Sequence, residues 1–528
     1  MKKEAACAIP MRARSTLGTE IRPMATGARP VVWSIAGSDS GAGAGLQADL
    51  KALQAFGVHG CTAVAAITAQ NSVAVTRVEP VSAELLDAQL SALAQDMPPQ
   101  SIKTGLLGSV DNVRVVCRWV DRLRAQGLPV ALVVDPVLSS TTGASFAGEA
   151  LVQAYVQELL PRATLVTPNR AEAERLGLRV GQARTAGQPS MVVTGGDDAK
   201  AEGLASDWFS SPQASGWLSL PRVDTAHHHG TGCTFAATAA AALASGYCVA
   251  DAVVLAKMAT THALRHAYAA GQGAGPVQAL PDFAQHVENL PWLKAQPGAQ
   301  SAFPDLSNKA LGVYAVVDSA AWVRRVLAAG IRTVQLRIKD PAEPTPAAQI
   351  AESVAIAHAT PGAQLFINDH WQLALQHGAY GVHLGQEDLD DVDLGALRNA
   401  GVRLGLSTHS YWEVARAWAL RPSYIACGPI FATQSKDMPW IPQGLDNLRY
   451  WANVLPLPVV GIAGIDASNV ADVAATGAAS AAVISAIAKA PDSEQACRDV
   501  MSGFTAALAS LPNMFHQGLD AGAVQEDR

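Results

Sequence analysis

At 528 residues the chain has room for two or three domains, because barrels and layered α/β domains each use about 200–250 residues. An apolar fraction of 49% with 16% charged residues describes a globular protein with material for more than one core. The formal net charge of −7 argues against a nucleic-acid binder, and no apolar run reaches the ~18 residues of a membrane span. Seven scattered cysteines include no C-x-x-C pair, so neither a disulfide framework nor a zinc site is indicated and a cytoplasmic location is expected.

Residues 1–29 are basic but lack the continuous apolar core of a secretory signal. We read them as a disordered extension, or as a misassigned start with Met11 or Met24 as the true one, in preference to an organellar transit peptide. Order is expected from Val31. The apolar runs 31-VVWSIAG, 61-CTAVAAIT, 130-VALVVDPV, 164-TLVTPN and 191-MVVTGG alternate with helical patterns across residues 30–272. That alternation predicts a largely parallel sheet covered on both faces.

Inside this region, 36-AGSDSGAGAG-45 follows a strand and precedes the helical pattern 46-LQADLKALQAFG. Its glycines allow close backbone approach to a ligand, and the helix start offers unpaired N–H groups. It matches neither the P-loop nor the Rossmann fingerprint, and alone it reads equally well as a tight turn. The stronger signal is 229-HGTGCTFAATAAAALASG, where Gly230 and Gly232 flank Thr231 before an Ala-rich helix. Amides at that helix start suit an anion hole for a transferring phosphoryl group. Cys233 falls in the first turn, where the helix dipole is expected to lower its thiol pKa and let it take a proton from an attacking hydroxyl. A small buried cysteine under a Gly/Ala packing surface is the competing reading.

Together the segments 36-AGSDSGAGAGLQAD, 70-QNS, 134-VDPV, 168-PNRAEAE, 194-TGGD and 229-HGTGCT resemble the hydroxymethylpyrimidine/phosphomethylpyrimidine kinases of thiamine biosynthesis, which have the ribokinase-like fold. The resemblance implies that Gly37 and Gln47 hold the pyrimidine and that Asp39 and Thr194 lie near ATP. It also implies that Asn169 and Glu172 lie near magnesium and that Cys233 acts as base, with Gly230 and Gly232 in the catalytic turn. Leu106 stands where the family often has Met, and Thr141 and the 194-TGGD segment lack family lysines. Phosphorylation of the alcohol, of its monophosphate, or of both therefore stays open, as does a non-catalytic pyrimidine-binding module. A pyridoxal-type kinase is disfavoured by G-T-G-C.

Between residues 273 and 309 the periodicity fails amid Pro and Gln, and we read a linker. Residues 310–508 then carry eight apolar runs ending in polar residues: 312-GVYAVVD, 332-RTVQLRIK, 364-QLFINDH, 380-YGVHLGQED, 402-VRLGLSTH, 424-YIACGPI, 458-PVVGIAGI and 480-SAAVISAI. Such runs, separated by helix-length stretches, predict a (β/α)8 barrel with its site at the C-terminal strand ends. The tail 509–528 is polar and expected to fray.

Gln335, Arg337 and Lys339 alternate along one strand end and so face one way. Asn368, Asp369 and Asp388 end neighbouring strands, where the two carboxylates suit a Mg²⁺ bound to a diphosphate. Ser407 ends the fifth strand, and Thr433, Ser435 and Lys436 follow the sixth. Gly464, Ile484 and Ser485 follow the seventh and eighth, the usual place for a phosphate held by backbone amides. His383, inside an apolar strand, is expected to be a hydrogen-bonded structural residue.

The motifs Q-L-R-x-K, N-D, G-V-H-L-G-Q-E-D, S-T-H and G-P-I-F-x-T-x-[ST]-K resemble thiamine phosphate synthase. Ala463 replaces a glycine of that family's phosphate loop, which requires φ < 0 there. The resemblance implies coupling of a pyrimidine diphosphate to thiazole phosphate, with Arg337 and Lys436 stabilising the departing pyrophosphate. The expected architecture is α/β throughout: a ribokinase-like α/β sandwich followed by a (β/α)8 TIM barrel. Expected partners are ATP, hydroxymethylpyrimidine or its phosphates, thiazole phosphate and Mg²⁺, with a homo-oligomer possible and neither nucleic acid nor membrane involved.

Overall fold

The computed structural model describes residues 29–139, 147–196, 203–294, 301–339, 346–432 and 442–510. The chain divides into two compact units, with the boundary between residues 299 and 300. In the first, the strands are β1 (Val31–Ser38), β2 (His59–Gln70), β3 (Val75–Pro80), β4 (Ser101–Thr104), β5 (Ala131–Val134), β6 (Leu165–Val166), β7 (Ser190–Val193), β8 (Leu204–Ser210), β9 (Ser215–Pro221) and β10 (Trp292–Lys294). They form one ten-stranded sheet in the order β10-β9-β8-β7-β6-β5-β4-β1-β2-β3. Strands β7 to β2 in that order are parallel. Strands β3, β8, β9 and β10 are antiparallel additions at the two edges. The parallel centre matches the expectation; the antiparallel edges and β4 were not anticipated. Strand β4 reads Ser-Ile-Lys-Thr and is buried at every position, so its polar residues hide a central strand.

Three helices position the site: α1 (Gly45–Phe56), α2 (Thr231–Ala244) and α3 (Val249–Arg265). Helix α2 buries every residue from Thr234 to Ala242. Small side chains let it lie close against α1 and α3, which both pack on it.

The linker expected over 273–309 is not a linker in its described residues. Strand β10 pairs with β9, Pro276 bridges to His229, and Val277, Phe283, Leu290 and Leu293 are buried. His262 Nε2 lies 3.0 Å from Asp282 Oδ1, fastening this segment to α3, and His286 Nε2 lies 3.2 Å from Asp282 Oδ2 within the segment. Two short 3₁₀ turns and one edge strand make the segment, so no helical or strand period could show. In the second unit, Phe303 and Leu306 are also buried, and Leu306 joins the barrel core.

That unit is a closed parallel barrel of β11 (Gly312–Val317), β12 (Thr333–Leu336), β13 (Gln364–Asn368), β14 (Gly381–Leu384), β15 (Arg403–Thr408), β16 (Tyr424–Cys427), β17 (Val459–Ile462) and β18 (Ser480–Val483), as expected. Large and small residues alternate across its interior. A Cβ on Gly405 would lie 2.1 Å from Tyr424 Cζ, and one on Gly381 would lie 2.4 Å from the Phe366 ring. The two glycines make the space that the aromatic rings fill. Among the described residues no helix is long and apolar enough to cross a membrane.

Candidate active sites

The loop between β1 and α1 is organised around Asp39. Its buried carboxylate accepts from the amides of Gly41 (2.8 Å), Gly43 (3.0 Å) and Ala44 (2.8 Å), while its own N–H donates to Gln47 Oε1 at 2.9 Å. His229 Nε2 lies 3.2 Å from Asp39 Oδ2 and 3.2 Å from the Gln70 amide nitrogen. Burial pushes the Asp39 pKa up, but the hydrogen bonds from His229, Ala44 and Gly41 outweigh it and hold the group below its usual range. The carboxylate is turned inward onto loop amides and holds the shape of the loop.

This loop interlocks with the second glycine-rich turn. Gly230 has φ +88°, and a Cβ there would lie 2.1 Å from the Gly43 carbonyl oxygen. A Cβ on Gly43 would in turn lie 2.3 Å from the His229 ring. Only glycines permit this approach, which carries the first turn of α2, with Gly232 and Cys233, to the end of β1.

Under that turn lies a buried charge cluster. Lys103 Nζ lies 2.9 Å from Asp49 Oδ1 and 3.5 Å from Asp135 Oδ2, and Ser34 Oγ donates to Asp49 at 2.6 Å. Burial pushes the Cys233 thiol up to about 12; Lys103 opposes the shift, and Asp49 and Asp135 add to it. This direction is opposite to the lowering expected from the helix start, because desolvation and two carboxylates exceed the pull of one lysine.

Asn169 and Glu172 close a capping box at the start of the helix Arg170–Arg175, with both bonds at 2.9 Å. Glu172 Oε1 also accepts from the Leu138 amide at 3.4 Å. Glu172 thus accepts from two backbone amides, those of Asn169 and Leu138. Asn169 and Thr194 bridge directly, placing them side by side beyond β6 and β7. Gly37 faces Leu106, whose Cδ2 would lie 3.2 Å from a Cβ at Gly37.

On the barrel, Gln335 is buried in β12, while Arg337 and Lys339 continue past its end. Lys339 pairs with Asp369, the residue after β13, which has φ +60°. Asp388 accepts from the Gly385 amide at 2.8 Å. Burial raises its pKa, the Gly385 bond opposes this, and the charges of Asp369 and Glu387 raise it further. Two close carboxylates that repel each other fit a divalent cation. Among the described residues Asn368 Nδ2 is buried with no hydrogen-bond partner, the mark of a donor that awaits a ligand.

Ser407 Oγ lies 2.8 Å from His383 Nε2, and His383 Nδ1 lies 2.7 Å from the Tyr424 hydroxyl. Burial pushes His383 down to about 4, so it is a neutral, hydrogen-bonded residue, as expected. Strands β17 and β18 are paired, which puts Gly464, in the loop after β17, beside Ile484 and Ser485, which cap and begin the short helix after β18. Ala463 has φ +81°, so the expected φ < 0 is wrong. The loop keeps its glycine-like path because the Ala463 carbonyl accepts from Phe431 N at 3.2 Å. Thr433, Ser435, Lys436 and Thr141 lie outside the described residues.

A model of phosphomethylpyrimidine kinase matches residues 39–278 and one of thiamine monophosphate synthase matches residues 313–487. A probable thiamine biosynthetic bifunctional enzyme, chloroplastic, from Oryza sativa subsp. japonica is 34% identical over 90% of this chain and 89% of its own. The chain belongs to this bifunctional thiamine biosynthetic family. Its kinase unit comes first and its synthase unit second. The thiamine-phosphate synthase of Serratia proteamaculans is 55% identical over 36% of this chain and 89% of its own. An ADP complex of Bacillus subtilis pyridoxal kinase is 31% identical, covering 48% of this chain and 98% of its own with a TM-score of 0.43.

In the kinase unit, sequence reasoning missed Lys103, Asp49, Asp135 and His229. In the synthase unit it missed Tyr314 and Tyr424. A lysine within a four-residue buried strand was the available signal for the first group; tyrosines inside barrel strands read as packing.

Proposed function

We propose that the kinase unit transfers the γ-phosphate of ATP to 4-amino-5-hydroxymethyl-2-methylpyrimidine phosphate. The synthase unit then joins the resulting diphosphate to 4-methyl-5-(2-phosphoethyl)thiazole, giving thiamine phosphate and pyrophosphate. The orphaned Asn368 Nδ2 beside Asp369 is the observation that carries the synthase site. Mg²⁺ held by Asp369 and Asp388 would neutralise diphosphate charge there. Arg337 and Lys339 face the same rim and absorb charge as pyrophosphate leaves, with Lys436 in the same role. Amides at Gly464, Ile484 and Ser485 hold the thiazole phosphate.

In the kinase unit, the first-turn amides at Gly230, Gly232 and Cys233 receive the transferring phosphoryl group. Gly37 and Gln47 line the pyrimidine, and Asn169 and Thr194 lie on the ATP side. A phosphate monoester with a second pKa near 6 is already a nucleophile at neutral pH. It needs no base, which suits a Cys233 thiol held near 12. The alcohol would need one, so the monophosphate is the favoured acceptor.

The test supplies purified full-length chain with ATP, Mg²⁺ and thiazole phosphate, plus either the alcohol or its monophosphate, and detects product by mass spectrometry. Thiamine phosphate from the monophosphate is expected. Product from both pyrimidines would show that the alcohol step is retained as well. Product only when the diphosphate is supplied would overturn the kinase half of the reading.

A further inference from the structure

Five side chains cross the barrel interior in one hydrogen-bonded line. Gln335 Nε2 donates to the Tyr314 hydroxyl at 3.3 Å, which lies 2.8 Å from the Tyr424 hydroxyl. That hydroxyl lies 2.7 Å from His383 Nδ1, and His383 Nε2 lies 2.8 Å from Ser407 Oγ. Tyr314 is 1% exposed, Tyr424 0%, Gln335 3% and His383 4%. Both ends sit one residue short of the C-terminal ends of their strands, β12 and β15, at the rim where substrate binds.

We propose that Tyr314, Tyr424 and His383 are positioning residues. They lock Gln335 and Ser407 into opposite hydrogen-bonding roles, so that the barrel reads the amino-and-ring-nitrogen edge of an aminopyrimidine. The inference rests on the synthase reading and deepens it. Each hydroxyl in the line has one proton to give, and a neutral imidazole has one donor and one acceptor nitrogen. With every one of these protons used inside the line, it runs in only two directions. In either one, if Gln335 gives a proton inward, Ser407 receives one, and the reverse. The groups left facing the ligand are always one acceptor and one donor.

The direction in the structure is set by Gln335 Nε2 donating to Tyr314. Tyr314 then donates to Tyr424, Tyr424 to His383 Nδ1, and His383 Nε2–H to Ser407. Gln335 Oε1 remains to accept, and the Ser407 O–H remains to donate. A 4-aminopyrimidine presents an amino N–H beside a ring nitrogen lone pair, which matches both. A 4-keto analogue presents a carbonyl beside a ring N–H, so both roles invert. Binding it requires every link to reverse together, including rotation of the buried Gln335 amide. Buried polar groups left unpaired are what make such rejection strong.

Tyr424→Phe removes the middle hydroxyl and keeps the ring that fills the space opposite Gly405. The pyrimidine diphosphate and its 4-keto analogue are supplied directly with Mg²⁺ and thiazole phosphate, and coupling is followed in steady state. In the parent protein the amino compound is expected to be preferred by about a hundredfold or more. In Tyr424→Phe its KM should rise by about tenfold and the preference over the keto analogue should fall by a similar factor. The KM for thiazole phosphate should stay within about twofold. Tyr314→Phe breaks the line at another link and should give the same pattern, which covers the case that one variant fails to fold. A folded variant with unchanged amino-over-keto preference would overturn the relay, and so would an equal rise in both KM values. A parent protein that makes no thiamine phosphate from the diphosphate would overturn the synthase reading and the relay with it.

Discussion

Lys103 Nζ lies 2.9 Å from Asp49 Oδ1 with both side chains fully buried, and Asp135 is 3.5 Å away on its other side. One cation thus faces two carboxylates beneath the first turn of α2. Replacing it strands both. Lys103→Met should cost about 3–5 kcal/mol, because an uncompensated buried charge is far more costly than the pair is favourable. Calorimetry should show the kinase-unit transition falling while coupling by the synthase unit persists. An unshifted transition would show that the carboxylates take up protons at little cost.

Cys233 gives a pH prediction with a definite sign. Its thiol ordinarily ionises near 9 but in the fold is pushed up to about 12, chiefly by burial. Above pH 9 the unfolded chain loses this proton and the folded chain keeps it. The group's contribution is therefore complete below pH 9 and is lost as pH rises toward 12. Kinase-unit melting temperature should fall over that window, less steeply in Cys233→Ala. Alkylation of Cys233 by iodoacetamide, followed by peptide mass spectrometry, should stay slow from pH 7 to about 9. Rapid labelling at pH 7 would contradict the raised value.

Ala463 holds a backbone angle of φ +81° that side chains other than glycine adopt at a cost. Relief of roughly 1–2 kcal/mol of strain, less a glycine entropy cost of roughly 0.5–1 kcal/mol, leaves a small net gain. Ala463→Gly should stabilise the barrel by about 0.5–1 kcal/mol in denaturant melts, with coupling activity unchanged. A destabilised variant would mean that the methyl group makes favourable contacts exceeding the strain.

Asp388 is raised by burial and by the charges of Asp369 and Glu387. Asp388→Asn removes a repulsive charge, so metal-free barrel stability should hold or rise. Coupling should nonetheless fall by about a hundredfold or more, as when other preorganised charges are removed from a site. Chelation with EDTA should abolish coupling in the parent protein. Coupling that survives in both Asp369→Ala and Asp388→Asn would remove the metal assignment.

Patterns local in sequence determined much of this protein. Apolar runs at regular spacing specified the barrel, because strands buried on both faces must be apolar along their length. Residue types at strand ends specified its rim: Asn368, Asp369 and Asp388 converge because parallel strands end together. The glycines of 36-AGSDSGAGAG and 229-HGTGC marked two close backbone approaches. Tertiary structure alone decided which groups those approaches join. Asp39 turned inward onto amides because His229, 190 residues away, closes over it. The Cys233 thiol was raised chiefly by burial, with Asp49 and Asp135 adding to it, and Lys103 was hidden in a strand too short to show a period. Residues 273–294 joined the kinase sheet through one short edge strand with no periodicity to read. The relay from Gln335 to Ser407 exists only because barrel closure sets residues of five strands across a common interior. Burial, desolvation and charge pairing act through space, and neither spacing nor residue type encodes those distances.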